Sequence, residues 1–321
     1  MKILFANVGG LMFGYKDFVK ELENEFPGIE FMVPKSGDEA PRLAVDADVC
    51  FGIPTIETFE AAQRLKWVHQ PASGVHVPNG HGLPDSDVIL TNSPGPHVTP
   101  MADYTIAVML AWTHRMEERF TDQRNQVWDP DRYEDGLEEL TGKNIGILGF
   151  GGVGQAIAKR VISFDMNVYA VARNEKTTTM PVKAVWGQDR VDELMTVSEW
   201  LVITAPLTPE TKGMIDKRRI SMMPKGSRII VLSRAHIIDE SALLEALSTG
   251  QVDKVAFDNF ENGELEKNSP LWTMPNVFLT PHTSSNSVNL EPGRRQIFRE
   301  NLRRFLNNQP LIGICDKQLG Y

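Results

Sequence analysis

Cysteine is nearly missing from this chain: Cys50 and Cys315 are the only two in 321 residues, and neither sits in a CxxC pair or a Cys/His cluster. That argues against a disulfide framework and a structural zinc site, and it matches the thiol usage of a reducing cytoplasm. Long apolar runs are missing as well. The opening MKILFANVGG is too short an apolar stretch for a signal peptide, and nothing approaches the roughly 20 residues of a membrane span. Excess positive charge is lacking: 33 Lys and Arg stand against 42 Asp and Glu, a net charge of −9. This balance argues against nucleic acid and a membrane surface as partners and leaves any anionic substrate to be drawn by local positive charge. Repeats and low-complexity segments are absent too. With 41% hydrophobic and 23% charged residues, the composition is that of an ordinary globular protein long enough for two cores.

Short apolar runs alternate with helical patterns along the chain. In the first hundred residues, strands are expected at 2–6, 29–33, 49–51, 67–70 and 88–91, with helices at 15–26 and 58–65. The turn formers Asn92-Ser-Pro-Gly-Pro-His97 mark a boundary. A helix follows over 98–119, with Thr99 and Pro100 at its start and Asp103 in its first turn. Residues 121–140 are polar and acidic and read as a connecting arm, in which exposed Trp128 and Tyr133 suit either a subunit interface or plain surface. The second half predicts further strands at 201–205, 228–232, 254–258 and 277–280, a helix or helical turn at 191–200, and helices at 217–223 and 239–249. A helical pattern over 285–307, interrupted near Glu291-Pro292-Gly293, is expected to return to the amino-terminal sheet. Strands alternating with helices predict the α/β class with two doubly wound parallel sheets.

The most informative stretch is 144–173, NIGILGFGGVGQAIAKRVISFDMNVYAVAR. It reads as a strand, a glycine turn (Gly149, Phe150, Gly151, Gly152, Val153, Gly154), an amphipathic helix and a second strand, the fingerprint of a dinucleotide-binding βαβ unit. Side chains at the glycines would hold the backbone away from a pyrophosphate, which the amides and the positive end of the helix bind. An NAD site places a carboxylate at the end of the second strand, to accept from the ribose 2′-hydroxyl. Here that position reads Ala172-Arg173-Asn174. With no acid, and with Arg173 available for a 2′-phosphate, the expected cofactor is NADP, with NAD the weaker alternative.

Other strand ends carry the candidate chemistry. Arg234 follows one strand, Asp258 ends another with Glu261 and Glu264 beyond it, and His282 follows a third in the string TPH. All fall at carboxyl ends of parallel strands, the edge that also bears the glycine turn. An arginine clamps a carboxylate bidentately, and a histidine supplies and removes a proton near neutrality. After the strand at 67–70, Ser73, Gly74 and Val75 are placed to offer successive amides to a substrate carboxylate. His69 and His76 flank that loop as either contacts or packing.

The strings GFGGVG, VLSRAHIIDESALLEAL, PLTPETKGMID and SPLWTMPNVFLTPH resemble the D-isomer-specific 2-hydroxyacid dehydrogenases, in motif order over nearly the whole chain. The resemblance implies a flavodoxin-like substrate domain (1–97 plus 285–321) into which a Rossmann cofactor domain (98–284) is inserted, and a homodimer built on the helix at 98–119 and its arm. It implies that Arg234 binds the substrate carboxylate and keto oxygen and that His282 is the acid/base group. It also implies that Ser73, Gly74 and Val75 bind the carboxylate, that Asp258 lies near the nicotinamide, and that Ala205, Pro206, Leu207 and Ser233 line the cofactor. The implied reaction is reduction of a 2-keto acid, such as glyoxylate or hydroxypyruvate, to a D-2-hydroxy acid. The family's glutamate that supports the histidine falls here on Gly263, with Glu264 next. Glu264, Glu261 or no carboxylate at all then holds His282. Two rival readings share the scaffold: a dinucleotide-sensing corepressor-like protein without turnover, and a formate- or phosphite-type dehydrogenase.

Overall fold

The computed structural model describes residues 1–6, 15–75, 77–175, 177–260 and 265–317, with only the backbone of Tyr15 and Lys16. The chain divides into two units, Met1–Pro96 with Ser287–Tyr321, and His97–Asn286.

The first unit contains β1 (Lys2–Phe5), α1 (Tyr15–Glu25), β2 (Glu30–Met32), α2 (Ala40–Ala44), β3 (Val49–Phe51), α3 (Ile56–Ala61), β4 (Trp67–Gln70) and β5 (Ile89–Asn92). The strands form a parallel sheet in the order β2-β1-β3-β4-β5, the flavodoxin-like arrangement. Helices cover both faces of such a sheet, so its strands carry apolar residues on both sides; all three residues of β3 are buried. The helix Leu290–Leu306 closes one face. Its Phe298 and Leu302 are fully buried, and the Phe298 ring stands 4.7 Å from Phe51 and 5.5 Å from Trp67. The interruption expected at Glu291-Pro292-Gly293 is the start of this helix. Pro292 lies in the first turn, where no intrahelical donor is lost.

His69 is a core residue of this sheet. It is fully buried, with Nδ1 2.8 Å from the Thr91 hydroxyl and Nε2 3.1 Å from that of Ser93. Burial pulls its pKa down to about 3. The folded state therefore takes up this proton far less readily than the unfolded chain, whose histidine titrates near the ordinary value of about 6.5. The stabilising contribution is complete above that value and is lost as pH falls toward 3, by about 3 kcal/mol at pH 4. Urea denaturation at pH 7.5 and pH 4 is expected to show a steeper acid loss for the wild type than for His69→Gln. Equal losses would contradict this account.

The second unit contains α4 (Val98–Thr113), α5 (Met116–Arg124), β6 (Asn144–Leu148), α6 (Gly152–Ile162), β7 (Asn167–Val171), β8 (Ala184–Trp186), α7 (Val191–Val197), β9 (Trp200–Ile203), α8 (Lys217–Met222), β10 (Ser227–Val231), α9 (Glu240–Thr249), β11 (Val252–Phe257) and β12 (Val277–Leu279). Seven strands run in the order β12-β11-β10-β9-β6-β7-β8, and every pairing is parallel. The connection reverses direction between β6 and β9, which places the ligand edge of a Rossmann sheet at their carboxyl ends.

Three local expectations change. The helix expected over 98–119 breaks at Arg115, whose left-handed φ of +48° ends α4 and starts α5. The helix expected over 191–200 stops at Val197, because Trp200 begins β9 and is 2% exposed in the core. Tyr133, expected to be exposed, donates to Asp122 at 2.6 Å and lies beneath the guanidinium groups of Arg115 and Arg119, at 5.1 and 4.3 Å. Trp128 does stand in solvent, 98% exposed. Among the described residues, no helix is long and apolar enough to cross a membrane, and no group of three His, Cys, Asp or Glu residues is placed to hold a metal.

Candidate active site

The glycine turn joins β6 to α6, and three of its four glycines, Gly149, Gly151 and Gly154, do different work. Gly149 has φ +102°, and a Cβ there would lie 2.5 Å from the Ala205 nitrogen and 2.8 Å from its Cα. The turn thus presses against the end of β9, where the Thr204 hydroxyl donates to the Gly149 carbonyl at 2.7 Å. Gly154 is equally constrained, since its Cβ would meet the Gly149 carbonyl at 2.1 Å. Gly151 is exposed, and a Cβ there would meet nothing within 4 Å. It also occupies the N-cap of α6, which no side chain caps. Two glycines therefore shape the turn, while the third leaves an open approach to the first amides of an 11-residue helix. That is the geometry a pyrophosphate requires.

A dinucleotide fits the rest of this edge. Ala172 at the end of β7 is buried, and Arg173 and Asn174 beyond it are exposed. The positive charge of Arg173 reaches the exposed Glu210, whose carboxyl is held below its ordinary pKa mainly by a hydrogen bond from Thr208 and in smaller part by that charge. Several residues expected to touch the cofactor are turned inward. Phe150 is 3% exposed within the core, and Ala205, 7% exposed, uses its amide on the Leu148 carbonyl at 2.9 Å. Pro206 is exposed, Leu207 half-buried against the core, and the Ser233 hydroxyl 3.5 Å from the Ile203 carbonyl.

Because β6, β9, β10, β11 and β12 are consecutive neighbours, their following loops fall in a row along one edge of the sheet. The row carries the glycine turn, then residues 205–207, then Arg234, then Asp258 and Asn259, then His282. Arg234 is half-buried, and its Nη1 donates to the Ser233 carbonyl at 2.8 Å. No carboxylate among the described residues pairs with it, and burial lowers its pKa from the ordinary guanidinium value. A cation withdrawn from water without an ionic partner binds an incoming anion strongly.

Asp258 is buried directly after β11. It is 1% exposed, and both oxygens are committed to the loop that carries His282. Oδ1 accepts from the Thr280 hydroxyl at 2.6 Å and from the amides of Thr283 and Ser284 at 2.9 and 3.0 Å, while Oδ2 accepts from the Ser284 amide and hydroxyl. The carboxylate thus anchors this loop. His282 itself is exposed with φ +55°, a left-handed conformation that the two anchored amides after it help to hold. Thr280 also pairs with Tyr104 of α4 at 2.9 Å, and burial pushes that phenol up to about 12. Asn259, which sequence reasoning missed, brings its side-chain nitrogen 3.3 Å from Nε2 of His282. Glu261 and Glu264 lie outside the described residues, as does His76.

In the first unit, the loop of Ser73, Gly74 and Val75 follows β4, and the end of β5 holds it there. The Asn92 side chain donates to the Ser73 carbonyl at 2.6 Å, and the Ser93 amide to the Ala72 carbonyl at 3.1 Å. Gly74 is exposed.

Residues 106–284 match the family model described as "D-isomer specific 2-hydroxyacid dehydrogenase, NAD binding domain". The chain is 30% identical over 302 residues to a D-3-phosphoglycerate dehydrogenase of Methanocaldococcus jannaschii, covering 92% of this chain but 56% of that protein. It therefore spans little more than half the length of that relative. A glyoxylate reductase of Thermococcus kodakarensis is 30% identical over 290 residues, covering 88% of this chain and 79% of its own. Among solved structures, a D-isomer specific 2-hydroxyacid dehydrogenase from Xanthobacter autotrophicus Py2, in complex with NADPH and MES, superposes with a TM-score of 0.80 at 26% identity, covering 100% of this chain and 99% of that one.

Proposed function

Since the chain belongs to the D-isomer specific 2-hydroxyacid dehydrogenase family, we propose that it is an oxidoreductase that reduces a 2-keto acid to a D-2-hydroxy acid. The substrate class is that of glyoxylate and hydroxypyruvate, and the preferred cofactor is NADPH. One observation carries this reading: Arg234, partly withdrawn from water and without a carboxylate partner among the described residues, lies on the same sheet edge as an open glycine turn and His282.

The residues divide the work as follows. The amides at Gly151, Gly152 and Val153, with the positive end of α6, hold the cofactor pyrophosphate, and Arg173 with Asn174 holds the 2′-phosphate. When bound, the reduced nicotinamide supplies a hydride, that is, two electrons and one proton, to the keto carbon. Arg234 orients the substrate carboxylate and polarises the keto oxygen. His282 gives its proton to that oxygen as negative charge develops there, so the carbonyl becomes a hydroxyl and the ring is left neutral. A homodimer through α4, α5 and the arm bearing Trp128 completes the reading. It is supported by an indole that is 98% exposed.

The cofactor assignment is tested by comparing kcat/KM for NADPH and NADH with one active keto acid. NADPH is expected to lead by at least about tenfold. Arg173→Ala should remove most of that lead, since a hydrogen bond to a charged group contributes about 1.5–3 kcal/mol. A clear preference for NADH would overturn the assignment.

A further inference from the structure

The loop that carries His282 is held through Thr280, whose polar groups are all in use. Its amide donates to the Phe257 carbonyl of β11 at 3.0 Å, and its own carbonyl accepts from the His282 amide at 3.0 Å. Its hydroxyl donates to Asp258 Oδ1 at 2.6 Å. A hydroxyl has one proton to give, so the 2.9 Å contact between Thr280 and Tyr104 runs in one direction: the phenol donates and Thr280 accepts. Burial pushes that phenol up to about 12 and so keeps its proton in place across the neutral range. The oriented line from Tyr104 through Thr280 ends on Asp258, which also accepts from the amides of Thr283 and Ser284 beyond His282.

Tyr104 stands on α4, and the same helix bears on the cofactor half of the edge. A Cβ at Gly152, in the glycine turn, would come 3.2 Å from Cγ2 of Val98, the first residue of α4. Next to Tyr104, Asp103 accepts from Nε of Arg160 on α6 at 2.7 Å. One helix therefore touches the turn that faces a pyrophosphate, the helix that follows it and the loop that carries the imidazole.

Resting on the reductase reading above, we propose that Tyr104 is a positioning residue: it ties the His282 loop, through Thr280 and Asp258, to the helix against which the glycine turn packs, and so keeps the imidazole in register with the bound cofactor. Tyrosine suits this place because its ring packs against the apolar core of the sheet while its hydroxyl reaches the loop. A leucine or phenylalanine would fill the same space without a directional hold. Tyr104 acts on His282 through the intervening hydroxyl and carboxylate, and not by contact with the reacting atoms.

The test is Tyr104→Phe, which removes one oxygen and keeps the ring. Its kcat is expected to fall about fivefold to tenfold, because a small misplacement of an acid/base group slows transfer, with the keto-acid KM changed by less than about threefold. Affinity for NADPH and thermal stability are expected to stay near wild type. Thr280→Val should lose at least as much kcat, Thr280→Ser should keep most of the wild-type rate, and adding Tyr104→Phe to Thr280→Val should cost nothing further. Hydrogen exchange without substrate, followed by mass spectrometry, should quicken over 282–286 in Tyr104→Phe and stay unchanged over 149–154. A wild-type kcat or wild-type exchange over 282–286 in Tyr104→Phe overturns the proposal, as does a loss that adds in full to that of Thr280→Val. A joint fall of kcat, cofactor affinity and thermal stability overturns it too, since that marks a general structural role. A wild type that reduces no 2-keto acid overturns the functional reading instead, and the exchange comparison still decides whether Tyr104 holds the loop.

Discussion

Replacing His282 with Asn should lower kcat for keto-acid reduction by about two to four orders of magnitude, the usual range for a lost general acid. The affinity for NADPH should remain close to that of the wild type. Asn is the informative substitution because of the backbone. At φ +55° an Ala pays the left-handed cost in addition to losing the imidazole, whereas Asn is among the residues that tolerate this region. His282→Asn therefore isolates the chemistry, and His282→Ala should show the same kinetic loss plus a stability loss of about 1 kcal/mol. Stopped-flow measurement of hydride transfer with saturating keto acid separates the two possible roles. A fall in the transfer rate identifies a proton donor, while an unchanged rate with a raised KM would reduce His282 to a binding group.

The second large effect comes from the glycine turn, where two neighbouring glycines are expected to respond in opposite ways. Gly149→Ala forces a Cβ to 2.5 Å from a backbone nitrogen of Ala205, with the chain held at φ +102°. Neither atom belongs to a flexible side chain, so the turn and the end of β9 must separate. Left-handed strain and overpacking together should cost about 2–5 kcal/mol, lowering the melting temperature along with cofactor binding. Gly151→Ala meets nothing within 4 Å and needs no unusual backbone. It should fold with a stability change of about 0.5 kcal/mol or less, yet weaken NADPH by tenfold or more, about 1.4 kcal/mol, because the new methyl occupies the approach to the helix amides. Thermal denaturation and fluorescence titration of reduced cofactor on both variants check this. Equal losses of stability would contradict the division of labour among the glycines.

The sequence made some of this legible and concealed the rest, for physical reasons. Strand ends in a parallel sheet share an edge, so Gly149, Arg234, Asp258 and His282 could be placed together once the alternation of strands and helices was read. The direction in which a side chain turns at that edge is a different matter. Asp258 reads as a site carboxylate, yet its oxygens are used by amides 25 and 26 residues further along the chain. Asn259 carries no mark in the sequence, because its partner His282 is 23 residues away and is brought near only by the pairing of β11 with β12. Arg115 ends a helix without a Gly or Pro to announce it, through a left-handed residue of an ordinary type. Pro292, by contrast, looked like a breaker in the middle of a helical pattern and is a first-turn residue, since proline is harmful only where a donor is needed. Strand β8, three residues at the sheet edge, is too short for a period of two to register.

The central claim is that the chain transfers a hydride from a nicotinamide cofactor to a 2-keto acid, and it is tested most directly by following reduced-nicotinamide absorbance across a panel of 2-keto acids, with NADPH and with NADH. The predicted result is a keto-acid-dependent loss of absorbance that is faster with NADPH and largely abolished in His282→Asn. A protein that binds the dinucleotide tightly and oxidises it with no member of the panel would contradict the account.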